Sequence, residues 1–306
     1  MKQVPFGTSG EMVSAISIGC MRITNLSADQ TVAFLNYALE HGVNFFDHAD
    51  IYGSGACEER FGAGVKQAGI PRDSIFVQSK CGIARGGMFD FSKEHIIEAV
   101  EGSLKRLNMD YLDSLLLHRP DALVEPEEVA EAFDTLKQQG KVRYFGVSNH
   151  TPMQMELLKK WVKQPLMANQ LQFSIAHASM ISSGLEANMG TAGAINRDGS
   201  VLDYCRLNDV TIQAWSPFLY GFFEGVFLGS EKYPELNQKL QEIAKVYGVS
   251  DTTIATAWLL RHPANVQVIT GTMKQTRLDE ICKACDIVLT RKEWYDIYKS
   301  AGNIIP

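Results

Sequence analysis

The chain has 306 residues, 45% of them hydrophobic and 21% charged, a size and balance that allow one large α/β barrel or two ordinary domains with a substantial core. A formal net charge of −6 gives no electrostatic footprint for nucleic acid or an anionic membrane, while leaving room for a local basic pocket. The opening MKQVPFGTSGEMVSAISIG lacks the apolar core of a signal peptide, no run reaches the ~20 apolar residues of a membrane span, and the six cysteines are scattered, so a cytoplasmic protein with free thiols is expected.

In chain order, VPFGTSGEMVSA reads as a short hairpin closing the bottom of a barrel. Short apolar runs then alternate with longer amphipathic stretches. The predicted strands are Ala15–Gly19, Asn44–Phe46, Ile75–Ser79, Ser114–Leu117, Tyr144–Val147, Ala168–Phe173, Thr211–Ala214 and Val266–Thr270, mostly continuous in Val, Ile, Leu and Phe as parallel strands buried on both faces should be. Ser27 caps a helix over Ala28–Glu40 that closes at Gly42, and Ser92 precedes one over Lys93–Leu107. Pro126 opens a helix ending at Gly140, Thr151–Pro152 starts another, and Asp251 caps Thr252–Arg261 before Pro263. Eight such units without a compositional break predict one (β/α)8 TIM barrel over residues 1–306. A doubly wound sheet is the rival, but Cys-Met-Arg-Ile-Thr follows Gly19 where its Gly-rich nucleotide loop would stand. Two connections, Ser174–Ser200 and Leu219–Tyr233, are too long for plain turns and are expected to cover the C-terminal face.

The chemistry falls at strand ends. VNFFD ends in Asp47, IFVQSK in Lys80 and LLLH in His118, and Tyr52 follows Asp47 within NFFDHADIYG. Consecutive strand ends are neighbours around a barrel mouth, so the four side chains would converge there. A lysine beside Tyr52 would stabilise the phenolate and lower the phenol pKa, Asp47 would hold the ammonium, and a neutral His118 would orient a carbonyl oxygen. Such a group protonates a developing alkoxide. Lys80 alone would also suit a Schiff-base aldolase, and His48, Asp50 and His118 a metal site, but His48 and Asp50 sit on a turn with no third ligand at a diagnostic spacing from them. The lone CxxC of Cys282 and Cys285 has no second pair downstream, and His48 reads as a packing residue.

The strand-end residues and the barrel rhythm together resemble the aldo-keto reductase superfamily. The marks are D-x4-YG at Asp47–Gly53, the SK of Ser79–Lys80, LLLHRPD at Leu115–Asp121, GKVRYFGVSN at Gly140–Asn149, NQ at Asn169–Gln170, QAWSP at Gln213–Pro217 and ITGTMKQTRLDE at Ile269–Glu280. Within the family the chain is similar to a bacterial branch of predicted oxidoreductases carrying DHADIYG, SKCGI and LHRPD. The resemblance implies NADPH-dependent reduction of aldehydes or ketones, with Tyr52 as general acid, Lys80 tuning it, Asp47 completing the pair and His118 positioning the carbonyl. It implies further that Ser148, Asn149 and Gln170 hold the nicotinamide carboxamide and that Trp215 stacks on the ring. Ser216, Pro217 and Leu219 would line the pyrophosphate path, and Gly271 and Thr272 would approach the adenosine phosphate. Lys274 and Arg277 would supply charge for a 2′-phosphate, hence NADP(H), and Glu280 would reach the adenine amine.

The sequence departs from the family pattern at His48, where a small hydroxyl residue is frequent, and in ending at Ile305–Pro306 without a long tail. Substrate scope is therefore expected from Met21 and Arg22 after the first strand and from the two long loops. The implied partner is a small-molecule carbonyl compound, with no nucleic acid and no membrane, and the chain is expected as a monomer or weak homodimer. Some relatives of this fold are slow or inactive redox-sensing accessory subunits that hold a nicotinamide cofactor, which is the alternative reading.

Overall fold

The structure, a computed structural model that describes residues 1–84 and 88–305, is built around eight parallel strands closed into a barrel. They are β1 (Ile16–Gly19), β2 (Phe45–Asp47), β3 (Phe76–Cys81), β4 (Leu112–Leu117), β5 (Val142–Ser148), β6 (Leu166–Gln172), β7 (Thr211–Trp215) and β8 (Val266–Thr270). Each pairs in parallel with its sequence neighbours, and β8 closes on β1 through Val268 opposite Ile16. β1 to β4 are buried along their whole length, which is why their sequences run apolar without alternation.

Helices α1 (Ala28–Glu40), α2 (Ala56–Ala68), α3 (Lys93–Leu107), α4 (Pro126–Gln138) and α5 (Pro152–Lys159) each follow one strand. After β6 come α6 (Ser179–Leu185) and α7 (Val201–Leu207), after β7 α8 (Pro234–Tyr247) and α9 (Asp251–Arg261), and after β8 α10 (Gln275–Lys283) and α11 (Arg291–Ser300). Ser27 and Gln30 form the full reciprocal cap on α1. α2 runs close against the end of α3: a Cβ on Gly62 would lie 2.2 Å from the Leu107 carbonyl oxygen.

The predicted hairpin pairs Gln3–Pro5 with Met12–Ser14. Its turn plugs the N-terminal end of the barrel. Phe6, fully buried, meets Phe45 at 5.9 Å, Phe76 at 5.0 Å and Tyr144 at 6.0 Å between ring centroids. The Gly7 amide donates to Thr211 Oγ1 at 2.8 Å, and with φ of +53° and Met167 O 2.6 Å from where a Cβ would stand, only glycine fits.

Two readings change and a third gains detail. The cap of α9 is Ser250, whose side chain accepts from the Thr253 amide, so Asp251 is the first helical residue. Ser174–Ser200 contains α6 and packs outward, with Ser182 Oγ 2.7 Å from the Tyr298 hydroxyl on α11, and it contributes nothing to the mouth cleft described below. Leu219–Tyr233 does cover the mouth and carries a small hairpin, Leu219–Tyr220 with Gly225–Val226. Among the described residues no helix is long and apolar enough to cross a membrane.

Candidate active site

The loop after β2 is strapped to β3 by backbone bonds from His48 N to Gln78 O at 2.8 Å and from Asp50 N to Lys80 O at 3.0 Å. It then turns sharply, with Tyr52 N on Ala49 O and left-handed backbone at Gly53 (φ +56°). That turn brings the phenol back over β3. Lys80 Nζ donates to Asp47 Oδ2 at 2.8 Å, to the His48 carbonyl at 2.6 Å and to the Tyr52 hydroxyl at 3.2 Å, and the lysine has no exposed surface. Behind it, fully buried Glu58 of α2 accepts from Ser79 Oγ at 2.6 Å and Arg106 Nε at 2.8 Å, fixing both helices to the end of β3.

Asp47 is held from the barrel interior. Its Oδ1 accepts from Gln78 Nε2 at 2.7 Å and Gln170 Nε2 at 3.0 Å. Gln213 accepts from both of those amides and donates to Gln267 Oε1 at 2.9 Å, and Gln267 donates to the Ser14 carbonyl. Four glutamines on β3, β6, β7 and β8 thus form a buried polar layer beneath the carboxylate. Its N–H groups face the charge, and satisfied donors stabilise a buried anion.

Burial alone would push the Lys80 ammonium down, but Asp47 and Tyr52 outweigh it and the pKa is raised, so the side chain stays charged. The Tyr52 phenol departs from the expected lowering: burial raises it above its ordinary ~10, and Lys80 offsets only part of that. Tyr52 is therefore protonated at neutral pH, the state that its expected role would require. His118 is held down to about 2 by burial, Lys80 and Arg119, so its imidazole is neutral, and its ring stands edge-on to Tyr52 at 6.0 Å.

The cleft over these groups has a volume of about 710 Å³. Tyr52, Asp47 and His118 line it, while Lys80 lies behind its wall. Met21 and Arg22 line it beyond β1, Ser148 and Asn149 beyond β5, and Gln170 on β6. Trp215, Ser216, Pro217 and Leu219 follow β7, and Gly271, Thr272, Lys274 and Arg277 follow β8. Trp215 Nε1 donates to Asn149 Oδ1 at 3.2 Å, and Asn149 Nδ2 donates to Ser148 Oγ at 2.8 Å, so β5 and β7 are tied together at the rim. Apart from Lys80, Glu280 alone of the expected residues lies outside the lining, and its backbone carbonyl accepts from Thr253 Oγ1 on α9.

Arg22 stands nearer the β8 end than a purely substrate-facing role implies: a Cβ on Gly271 would lie 3.4 Å from its Nη1. Arg119 was not among the expected residues; it lines the cleft together with Phe218, Phe223 and Val226, the last two from the loop expected to cover it. Arg119 was within reach, as the neighbour of His118 in LLLHRPD. The metal reading has no geometric support: His48 is buried edge-on against Phe61 at 4.5 Å with neither ring nitrogen bonded. Among the described residues no three His, Cys, Asp or Glu side chains are placed to hold a metal ion.

A closed eight-stranded parallel barrel with this lysine, carboxylate, phenol and imidazole at its mouth defines a class, and the chain belongs to the aldo/keto reductase family, whose model matches residues 15–301. It is similar to the oxidoreductase YdhF of Escherichia coli (strain K12), 34% identical with 98% of each chain covered. It is 33% identical to a 6-dehydroglucose reductase of Agrobacterium fabrum, with 94% of each covered. The crystal structure of a thermostable aldo-keto reductase, Tm1743, solved with the inhibitor epalrestat, superposes with a TM-score of 0.80 at 28% identity, covering 98% of this chain and all of the other.

Proposed function

We propose that the protein reduces aldehydes or ketones to alcohols with NADPH. The observation that carries this reading is the buried Lys80 Nζ bridging Asp47 and the Tyr52 hydroxyl at the floor of a deep cleft. The residues fit the cofactor. Arg22, Lys274 and Arg277 gather where β1 and β8 end, cations suited to phosphate oxygens, beside a glycine whose missing side chain leaves room for close approach. Two of them, Lys274 and Arg277, follow the strand end expected to receive a 2′-phosphate. Bound NADPH supplies a hydride to the carbonyl carbon.

The protein's own residues do the rest. Neutral His118 donates a hydrogen bond that orients the carbonyl oxygen. Tyr52 gives that oxygen its proton as negative charge develops there. Lys80, kept charged by Asp47, stabilises the phenolate left behind, which solvent reprotonates. Related enzymes named as reductases support this direction without fixing the physiological substrate.

NADPH oxidation across a panel of aldehydes and ketones tests the reading. Tyr52→Phe should lose turnover by about 100- to 10,000-fold while keeping its affinity for NADPH. Severe loss of NADPH binding in that variant would sink the assigned role. If wild type and variant both bound NADPH and were equally inert, the chain would be a nicotinamide-binding accessory protein.

A further inference from the structure

One positive charge in the cleft is explained neither by the chain nor by the phosphate end. Arg119 lies half-buried on the loop after β4, its guanidinium carbon 5.7 Å from the ring centroids of both Trp215 and Phe222. Among the described residues no carboxylate faces it. Asp121, two residues on, is turned to backbone, accepting from the Phe91 amide at 3.0 Å and the Leu123 amide at 2.8 Å. Asp47, the carboxylate that lines the cleft, has its oxygens occupied by Lys80, Gln78 and Gln170. A guanidinium that has exchanged part of its water for ring faces alone is under-compensated. Its anion must come with a ligand.

The barrel order separates that anion from the cofactor phosphates. Arg22, Lys274 and Arg277 follow β1 and β8, which are paired neighbours, whereas β4 stands diametrically opposite β8 in the ring. Arg119 instead shares its loop with His118, at the end where the carbonyl is reduced.

We propose that Arg119 binds a carboxylate on the substrate, so that this protein acts on aldehyde or keto acids, with the carbonyl at Tyr52 and His118 and the carboxylate on Arg119. The inference rests on the reductase reading and names its substrate class. The planar guanidinium matches a carboxylate bidentately, while Phe223 and Trp215, stacked at 5.7 Å, offer an apolar wall to the carbon skeleton between the two polar ends.

The test is steady-state reduction of a matched pair, 4-carboxybenzaldehyde and benzaldehyde, by wild type, Arg119→Met and Arg119→Lys, with NADPH affinity measured for each. Wild type should favour the carboxylated aldehyde by about 10- to 100-fold in kcat/KM. The ratio should fall close to unity in Arg119→Met and to an intermediate value in Arg119→Lys, which keeps the charge without the fork. A ratio near unity in wild type, or one that survives in both variants, would overturn the substrate class and leave the reductase reading standing. A loss of NADPH affinity in the variants with the ratio intact would reassign Arg119 to the cofactor. If wild type bound NADPH and reduced neither aldehyde, the reductase reading itself would fall and this inference with it.

Discussion

Charge placement decides what individual residues do in this cleft. Lys80 is charged because Asp47 and Tyr52 outweigh its burial, and removing any one of the three leaves a buried group uncompensated. Lys274 and Arg277 are different: both lie at the rim, with no buried partner to lose, and their value is in what they meet. On the proposed reading, Lys274→Ala or Arg277→Ala should weaken NADPH binding by about 10-fold while changing NADH affinity much less. Equal losses for the two cofactors in a fluorescence titration would remove the 2′-phosphate assignment. His48, the departure from the family pattern, has a plain role: its carbonyl accepts from Lys80 and its ring packs on Phe61, so the backbone carries its contribution to the site.

At the level of elements, the glutamine layer ties four strands to one carboxylate. Gln213→Leu would leave the side-chain amides of Gln78, Gln170 and Gln267 short of partners inside the barrel. Each unsatisfied buried group costs about 1–3 kcal/mol, so the variant should unfold at clearly lower urea, and turnover should fall as Gln78 and Gln170, the donors to Asp47, lose the partner that orients them. Unchanged stability would mean that the layer repacks. The layer was not legible from sequence: Gln78, Gln213 and Gln267 sit in otherwise mostly apolar strands (IFVQSK, TIQAW, VQVIT), Gln170 was expected only to meet a cofactor, and only closure of the barrel brings the four together. Local signals succeeded where physics is local. The caps at Ser27 and Ser92, the apolar run Val266–Thr270 and the hairpin at the start all stand as read. They failed where the code is weak. SMISSGL has the serines and glycine of a loop yet forms α6, because tertiary packing overrides propensity, and β5 begins at Val142 although exposed Arg143 interrupts its apolar pattern. The tetrad was legible because strand ends of a barrel converge by construction, whereas Arg22 beside Gly271 depends on a side-chain direction that no spacing records.

For the whole molecule, buried titratable groups set a pH dependence. Burial holds His48 at about 3, His118 at about 2 and His150 at about 4, against ~6.5 in an unfolded chain. Below ~6.5 the unfolded chain binds protons that the folded one refuses, so stability falls as pH falls. Asp50 acts in the opposite sense: burial and nearby Glu58 raise it to about 7, so between ~4 and ~7 the folded state holds a proton that the unfolded chain has released. With His262 also held at about 4 by burial, the histidines outnumber the one raised carboxylate, so the net effect of acidification is a loss of stability. Urea midpoints measured between about pH 7 and pH 5 should drop accordingly, and a flat profile would contradict the neutral, buried imidazoles. Asp50→Asn should steepen that loss while raising stability on the alkaline side.

The Phe6 plug and the glutamine layer make the barrel a cul-de-sac. With its floor packed with aromatic rings and its middle filled by hydrogen-bonded amides, the barrel offers water no rear approach to Tyr52 among the described residues. Whatever enters, leaves or reprotonates the phenol shares one doorway at the mouth. On the proposed chemistry, the outgoing alcohol must clear that doorway before solvent can restore the acid, so catalytic recovery is tied to product departure and should inherit its rate.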